Sequence, residues 1–188
     1  MIISIGGSHG SGKSTLAKML GEKLGWPRYY IGGLRRERAK ELGLTLAEYN
    51  KLGENDPKTD IEVDEYQREL GEKENNFIIE GRTSWYFIPK SLKIFIEVGE
   101  EEGARRILAD LKKNQGARNE DCAINNYDEV LASIKKRLAS DIVRYKKYYN
   151  IDVYDKNNFD FILNTERLSI EEAFEKLYAF IRPLVDKK

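Results

Sequence analysis

The apolar run Met1-Ile2-Ile3-Ser4-Ile5 is followed directly by Gly7-Ser8-His9-Gly10-Ser11-Gly12-Lys13-Ser14. Thr15 then leads into a segment whose Leu16, Met19, Leu20 and Leu24 recur at helical spacing. Strand, glycine-rich turn and helix in this order are the context in which G-x-x-x-x-G-K-[ST] acts as a phosphate loop. Glycines let the backbone turn with positive φ, so that successive N–H groups point inward at an anion. The helix that starts there adds the positive end of its dipole. Gly7, Ser8, His9, Gly10, Ser11, Gly12, Lys13, Ser14 and Thr15 are therefore the expected nucleotide contacts. Lys13 would reach the β- and γ-phosphates, and the Ser14 hydroxyl would ligate Mg²⁺. A nucleoside triphosphate with Mg²⁺ is the ligand pair this arrangement calls for.

The remainder of the chain must supply a core for that loop. With 188 residues, 40% hydrophobic and 34% charged, it reads as one globular domain rather than a disordered chain. Lys and Arg match Asp and Glu at 32 each, so no broad cationic footprint for nucleic acid is expected. The single cysteine, Cys122, cannot form an internal disulfide, which fits a reducing compartment. The apolar runs are too short for a membrane span, and Met1 enters a strand without a signal-peptide pattern. The expectation is a soluble, cytoplasmic monomer acting on small molecules, without nucleic-acid or membrane partners.

Strand signals recur at 27–31, 76–80, 92–98 and 159–163, with helical patterns between them. Capping boxes Thr45-x-x-Glu48 and Ser169-x-x-Glu172 mark two helix starts, and Asp56-Pro57 marks a third. A long helix carries Tyr127, Val130, Leu131, Ile134, Leu138, Ile142, Tyr145 and Tyr149 along one face. Residues 112–124, with Gly116, read as a loop. The fold class is α/β, a P-loop NTPase frame with a five-stranded parallel sheet flanked by helices. Segments 32–74 and 113–150 are expected as two flaps on a core formed by 1–31, 75–112 and 151–188. Parallel sheets bind ligands at the carboxyl ends of their strands.

Glu80-Gly81-Arg82 ends the third of these strands. A carboxylate there can hold Mg²⁺ beside Ser14, and Arg82 can grip phosphate oxygens through its fork. Arg137, Asp141 and Arg144, spaced by four and three, share one face of the long helix. Two readings are open for this triplet: an ion-pair ladder on a solvated face, or groups that act on substrate. His9, the only histidine, is expected to point to solvent while its backbone serves the loop. A nucleotide-dependent switch of the GTPase type would carry N-K-x-D, but the only Asn-Lys pair, Asn50-Lys51, is followed by Leu52-Gly53.

Taken together these motifs resemble the nucleoside monophosphate kinases, and among them the archaeal-type cytidylate kinases. The likeness spans nearly the whole chain: the loop, Gly32-x-Leu34-x-Arg36, Asp56-Pro57-x-x-Asp60 with Asp64 and Gln67, and Glu80-Gly81-Arg82 followed by Trp85. It continues in Arg137-x-x-x-Asp141-x-x-Arg144-Tyr145, Tyr149-x-Ile151-Asp152 and Ile162-x-Asn164-Thr165. The resemblance implies transfer of the ATP γ-phosphoryl to CMP or dCMP, with 32–74 as the monophosphate-binding flap and 113–150 as the lid. It implies Arg36 and Arg82 on the acceptor phosphate, Asp60 and Asp141 among the acceptor contacts, and Arg137 and Arg144 closing over the transferring group. Kinases of another small acceptor share this frame. Two positions depart from the family pattern: Gly33 stands where Asp is usual, and His9 where proline is usual.

Overall fold

The computed structural model describes residues 1–113 and 126–186. Gly116 and Cys122 lie outside the described residues. Strand β1 (Ile2–Gly7) leads through the loop into α1 (Lys13–Leu24), β2 (Arg28–Tyr30) and three consecutive helices. These are α2 (Ile31–Glu41), α3 (Leu46–Gly53) and α4 (Lys58–Lys73). Then come β3 (Phe77–Glu80), the short α5 (Ser84–Phe87), β4 (Leu92–Glu97) and α6 (Glu100–Lys113). Helix α7 (Tyr127–Tyr149), β5 (Phe161–Asn164) and α8 (Ile170–Val185) complete the chain. The strands form one sheet in the order β2-β3-β1-β4-β5, and every neighbouring pair is parallel.

Alternation along the strands divides the core between the two faces of the sheet. Ile3, Ile5, Ile78, Ile94 and Ile96 pack with Leu16 and Leu20 of α1 and Phe174, Leu177 and Ile181 of α8. Ile2, Phe77 and Ile79 turn the other way, onto Val63 and Leu70 of α4 and onto Ile88. A third cluster, Ala104, Ile107, Val130 and Ile134, holds α7 against α6. Among the described residues no helix is long and apolar enough to cross a membrane.

Local signals placed the helix starts well. Thr45 and Ser169 each accept the N–H three residues on, and Glu48 and Glu172 each return the bond. Asn126 and Glu129 close a third box at the head of α7. Asp56 accepts from the Lys58 N–H at 2.9 Å, so it serves the start of α4, which begins one residue after Pro57. The last strand starts two residues later than expected and ends one later, and Phe159 packs instead against Trp85 and Phe95. Helix α5 and a 3₁₀ turn at Lys156–Asn158 carry no periodic pattern and were not anticipated.

Candidate active site

Strand order reverses at β1, which has β3 on one side and β4 on the other. The loop leaving β1 therefore stands at the crevice where open parallel sheets bind ligands. Gly10 takes φ +73°, and a Cβ on it would lie 2.3 Å from the Gly103 carbonyl oxygen. Glycine at both positions is what lets the first turn of α6 close against the loop. The Ser8 N–H donates to the Ile96 carbonyl at 3.0 Å, and Thr165 Oγ1 donates to the Ser11 carbonyl at 3.1 Å. The loop is thus braced by β4, by the end of β5 and by α6.

A cavity of about 140 Å³ opens over it. The loop supplies His9, Gly10, Gly12, Lys13, Ser14 and Thr15 to its wall. Helices α2 and α3 supply Arg35, Arg36 and Asn50; the end of β3 supplies Glu80, Arg82 and Thr83; α7 supplies Arg137 and Tyr145. Lys13, Arg36, Arg82 and Arg137 come from four separate elements and meet on this wall.

Lys13 Nζ donates to the Ser8 carbonyl at 3.0 Å. Burial, and then the Arg82 charge, lower its pKa to about 7, with Glu80 pulling the other way. Glu80 is 2% exposed, and neither of its carboxylate oxygens has a hydrogen-bond partner in the protein. Arg28 Nη2 lies 3.8 Å from it, while Nη1 of the same fork donates to the Ser14 carbonyl at 2.9 Å. Burial pushes the Glu80 carboxyl up, and the charges of Arg28 and Lys13 moderate the rise. The Glu80 carboxylate, with Arg28 at 3.8 Å and the Ser14 hydroxyl beside it, forms with that hydroxyl an oxygen donor set that suits a hard divalent cation such as Mg²⁺.

Arg36 Nη1 donates to the Tyr30 hydroxyl and to the Gly32 carbonyl. The Tyr30 ring lies over the glycine pair that opens α2, and a Cβ on Gly33 would stand 2.6 Å from Tyr30 Cδ1. The missing side chain at residue 33 is therefore filled by an aromatic ring that also holds Arg36.

Arg82 donates through Nε to the Tyr154 hydroxyl at 3.2 Å and pairs with the Asp141 carboxylate. Its Nη2 is 3.0 Å from His9 Nε2. His9 is 6% exposed and faces the cavity, which corrects the expectation of a solvent-facing side chain. Burial, then Arg137 and Arg82, press its pKa well below the usual histidine value.

Asp60, Asp141 and Arg144 lie behind the wall. Each is 1% exposed. Arg144 donates to both Asp60 oxygens and, at 2.7 Å, to Asp141; Asp60 also pairs with Arg35. The ladder reading is thus corrected. The Arg144–Asp141 pair does lie along the helix, but it is buried and extends across to α4 and to Arg82, whose reach from other elements no spacing on α7 could reveal. Burial raises the Asp141 carboxyl, but Arg82 and Arg144 outweigh it and hold the group below the usual carboxylate range.

Tyr30, Arg35, Asn50, Asp64, Thr83 and Tyr145 line the cavity without having been singled out as site residues. A signal for Asp64 was present: Asp60, Asp64 and Gln67 fall on one stripe of α4, and that stripe is buried. Asp64 accepts from Gln67 at 3.1 Å, from Thr83 at 3.4 Å and from the Tyr149 hydroxyl. A second cavity of about 530 Å³ lies on the far side of the loop, between Thr15, Arg106, Thr165 and Ile170.

Comparison with known proteins gives this arrangement a context. Residues 2–167 match the model of the cytidylate kinase-like family. The cytidylate kinase of Methanopyrus kandleri is 33% identical over 100% of this chain and 96% of its own length. That of Methanothrix thermoacetophila is 36% identical over 98% of this chain and 99% of its own. Among solved structures, shikimate kinase from Bacteroides thetaiotaomicron superposes with a TM-score of 0.63 at 18% identity, covering 97% of this chain and 98% of that one. An uncharacterized protein from Eubacterium ventriosum gives 0.67 at 20% identity, with the same coverage. The structural likeness establishes a P-loop kinase fold, and the sequence match is more specific: the chain belongs to the cytidylate kinase-like family.

Proposed function

We propose that the chain moves the γ-phosphoryl group of ATP onto CMP or dCMP, with 32–74 serving as the acceptor flap and 113–150 as the lid. The observation that carries this reading is the convergence of Lys13, Arg36, Arg82 and Arg137 on one cavity, beside a buried carboxylate that has no hydrogen bond. Two polyanions can meet only where fixed cations offset their repulsion. Phosphoryl transfer spreads charge over the equatorial oxygens, so positioning and electrostatics do most of the work.

The loop amides and Lys13 hold the β- and γ-phosphates of the donor. Glu80 and the Ser14 hydroxyl would hold Mg²⁺, which when bound neutralises charge on those phosphates. Arg36 and Arg82 hold the acceptor phosphate, whose oxygen attacks the γ-phosphorus as the bond to the β-phosphate oxygen breaks. No general base is required, because that oxygen is already anionic. Arg137 meets the transferring group from α7. Arg144, seated between Asp60 and Asp141, ties the flap helix α4 to the lid helix α7 and keeps the site's cations in place. The larger cavity beside Thr165 accommodates the donor nucleoside. Closure of the two flaps would exclude water that could otherwise hydrolyse ATP.

A panel of nucleoside monophosphates in a coupled ADP assay tests the reading. CMP and dCMP should give the highest kcat/KM. Equal values for CMP and AMP would sink the cytidylate assignment and leave a broader monophosphate kinase. ADP release indifferent to every acceptor would remove the kinase reading itself.

A further inference from the structure

Helices α3 and α7 each turn one stripe of residues toward a shared cavity. Ala47, Asn50, Lys51 and Glu54 lie at helical spacing on α3, and Ser133, Lys136, Arg137 and Ser140 repeat that spacing on α7. Facing stripes of this kind normally close on apolar side chains. Here the small Ala47, Ser133 and Ser140 leave a cavity of about 220 Å³ between the helices. Arg137 and Asn50 also line the cavity over the phosphate loop, so they form the partition between the two spaces.

The chemistry of this wall is one-sided. Ser140 is 8% exposed, and among the described residues its Oγ has no hydrogen-bond partner. A buried hydroxyl left unpaired is costly, and it calls for a ligand atom. Asn50 Oδ1 accepts from Arg35 Nη2 at 3.2 Å; a guanidinium only donates, so the amide nitrogen is left as a donor. Lys51, Lys136 and Arg137 bring three positive charges against the single carboxylate of Glu54. A cation would meet that surplus of like charge, and an apolar group would leave Ser140 unpaired. Donors backed by surplus cations suit an oxyanion.

We infer that the seam between α3 and α7 is a regulatory site for a free tetrahedral oxyanion of the inorganic phosphate class, which shares Arg137 with the reaction. An oxyanion seated there offsets the Arg137 charge from behind and weakens the field that residue presents to the transferring group. Turnover then falls as phosphate accumulates, whatever the supply of either nucleotide. This coupling rests on the reading that Arg137 meets the transferring phosphoryl group.

The test titrates inorganic phosphate, at constant ionic strength and free Mg²⁺, into wild type and a double variant carrying Lys136→Met and Ser140→Ala. With ATP and CMP saturating, phosphate should lower kcat of the wild type, and a further excess of either nucleotide should not relieve it. The double variant should need about tenfold more phosphate or higher for the same effect, the scale of a lost charge-assisted hydrogen bond. Without phosphate its kcat should stay within about twofold of wild type, and its melting temperature should match. Phosphate should raise the melting temperature of the wild type more than that of the variant, a readout independent of turnover. Inhibition that saturating nucleotides abolish would place the anion in the reaction site alone and overturn the inference. Equal inhibition of both proteins, or an unchanged kcat in phosphate, would overturn it too. An Arg137→Ala enzyme of undiminished kcat would remove the catalytic role of Arg137, and the coupling with it.

Discussion

Arg144 Nη1 donates to Asp60 Oδ1 at 2.8 Å and to Oδ2 at 2.9 Å, across 84 residues of sequence, with both side chains withdrawn from water. The pair joins the helix opening with Lys58 to the helix ending with Tyr149. Asp60 shares its charge with Arg35, and Asp141 shares its own with Arg82, so Arg35, Asp60, Arg144, Asp141 and Arg82 form a continuous chain that ends at the cavity.

Removing Arg144 leaves two carboxylates with fewer cations in a dry site. Arg144→Ala should therefore lower unfolding stability by about 3–5 kcal/mol, far above the few tenths expected of an exposed helical pair. Urea denaturation of wild type and variant measures the difference. A loss below about 1 kcal/mol would return the residue to the ladder reading.

Asp64 governs a pH dependence of stability. Burial pushes its carboxyl up to about 7, against the pull of the Tyr149 hydroxyl. The folded state then keeps a proton that the unfolded chain releases near its ordinary value. Stability contributed by this group is complete at low pH, declines as pH rises from about 4 to about 7, and is absent above, with a slope approaching ~1.4 kcal/mol per pH unit. Asp64→Asn cannot titrate there. The difference in unfolding free energy between wild type and Asp64→Asn, measured at pH 5 and pH 8, should change in that direction.

Lys13 links nucleotide binding to protons. With its pKa lowered to about 7 by burial, most of it is neutral at pH 8, and donor phosphates should restore the charge. Calorimetric titration of ATP at pH 8 in two buffers of different ionisation enthalpy should show uptake approaching one proton. The uptake should fade at pH 6, where the group is already charged, and vanish in Lys13→Met. That variant should also lose roughly 10²–10³-fold or more in kcat, because it removes a fixed charge aimed at the transferring group.

Gly33→Asp tests the aromatic that fills the flap. The added Cβ would stand 2.6 Å from the Tyr30 ring, so the ring must move and release its hydroxyl from Arg36. KM for CMP should rise about tenfold, the scale of a hydrogen bond to a charged group, with KM for ATP little changed. An unaltered KM for CMP would show that Tyr30 does not set Arg36.

The loop, the parallel sheet and the helix starts were legible because each is specified by residues close in sequence. Lys13, Ser14, Glu80, Arg36, Arg82 and Arg137 could be named from motifs, and the fold brings them to one wall. His9 was misjudged because its partner comes from residue 82, at the end of a different strand. The Arg137–Asp141–Arg144 face looked ambiguous for a similar reason. Helical spacing shows what lies along α7, whereas the partners that bury it arrive from α4 and from the turn after β3. Gly33 looked like the loss of a carboxylate, and only the packing of Tyr30 shows what occupies the space.

The placement of β1 has a consequence for synthesis. Its first residues pair in register with Phe77 and Ile78 on one side and with Leu92 on the other. No nearer strand takes part, so the run Ile2–Gly7 leaves the ribosome long before it has anything to pair with. At ordinary elongation rates the interval is about 4–14 s. Throughout that time an apolar strand destined for the middle of the sheet is exposed, while α1 and the flap helices can already form. The segment that carries the phosphate loop is thus a hazard for misassociation during synthesis. Stalling translation before residue 77 should leave it accessible to chaperone or to protease, and extending the nascent chain past β4 should hide it.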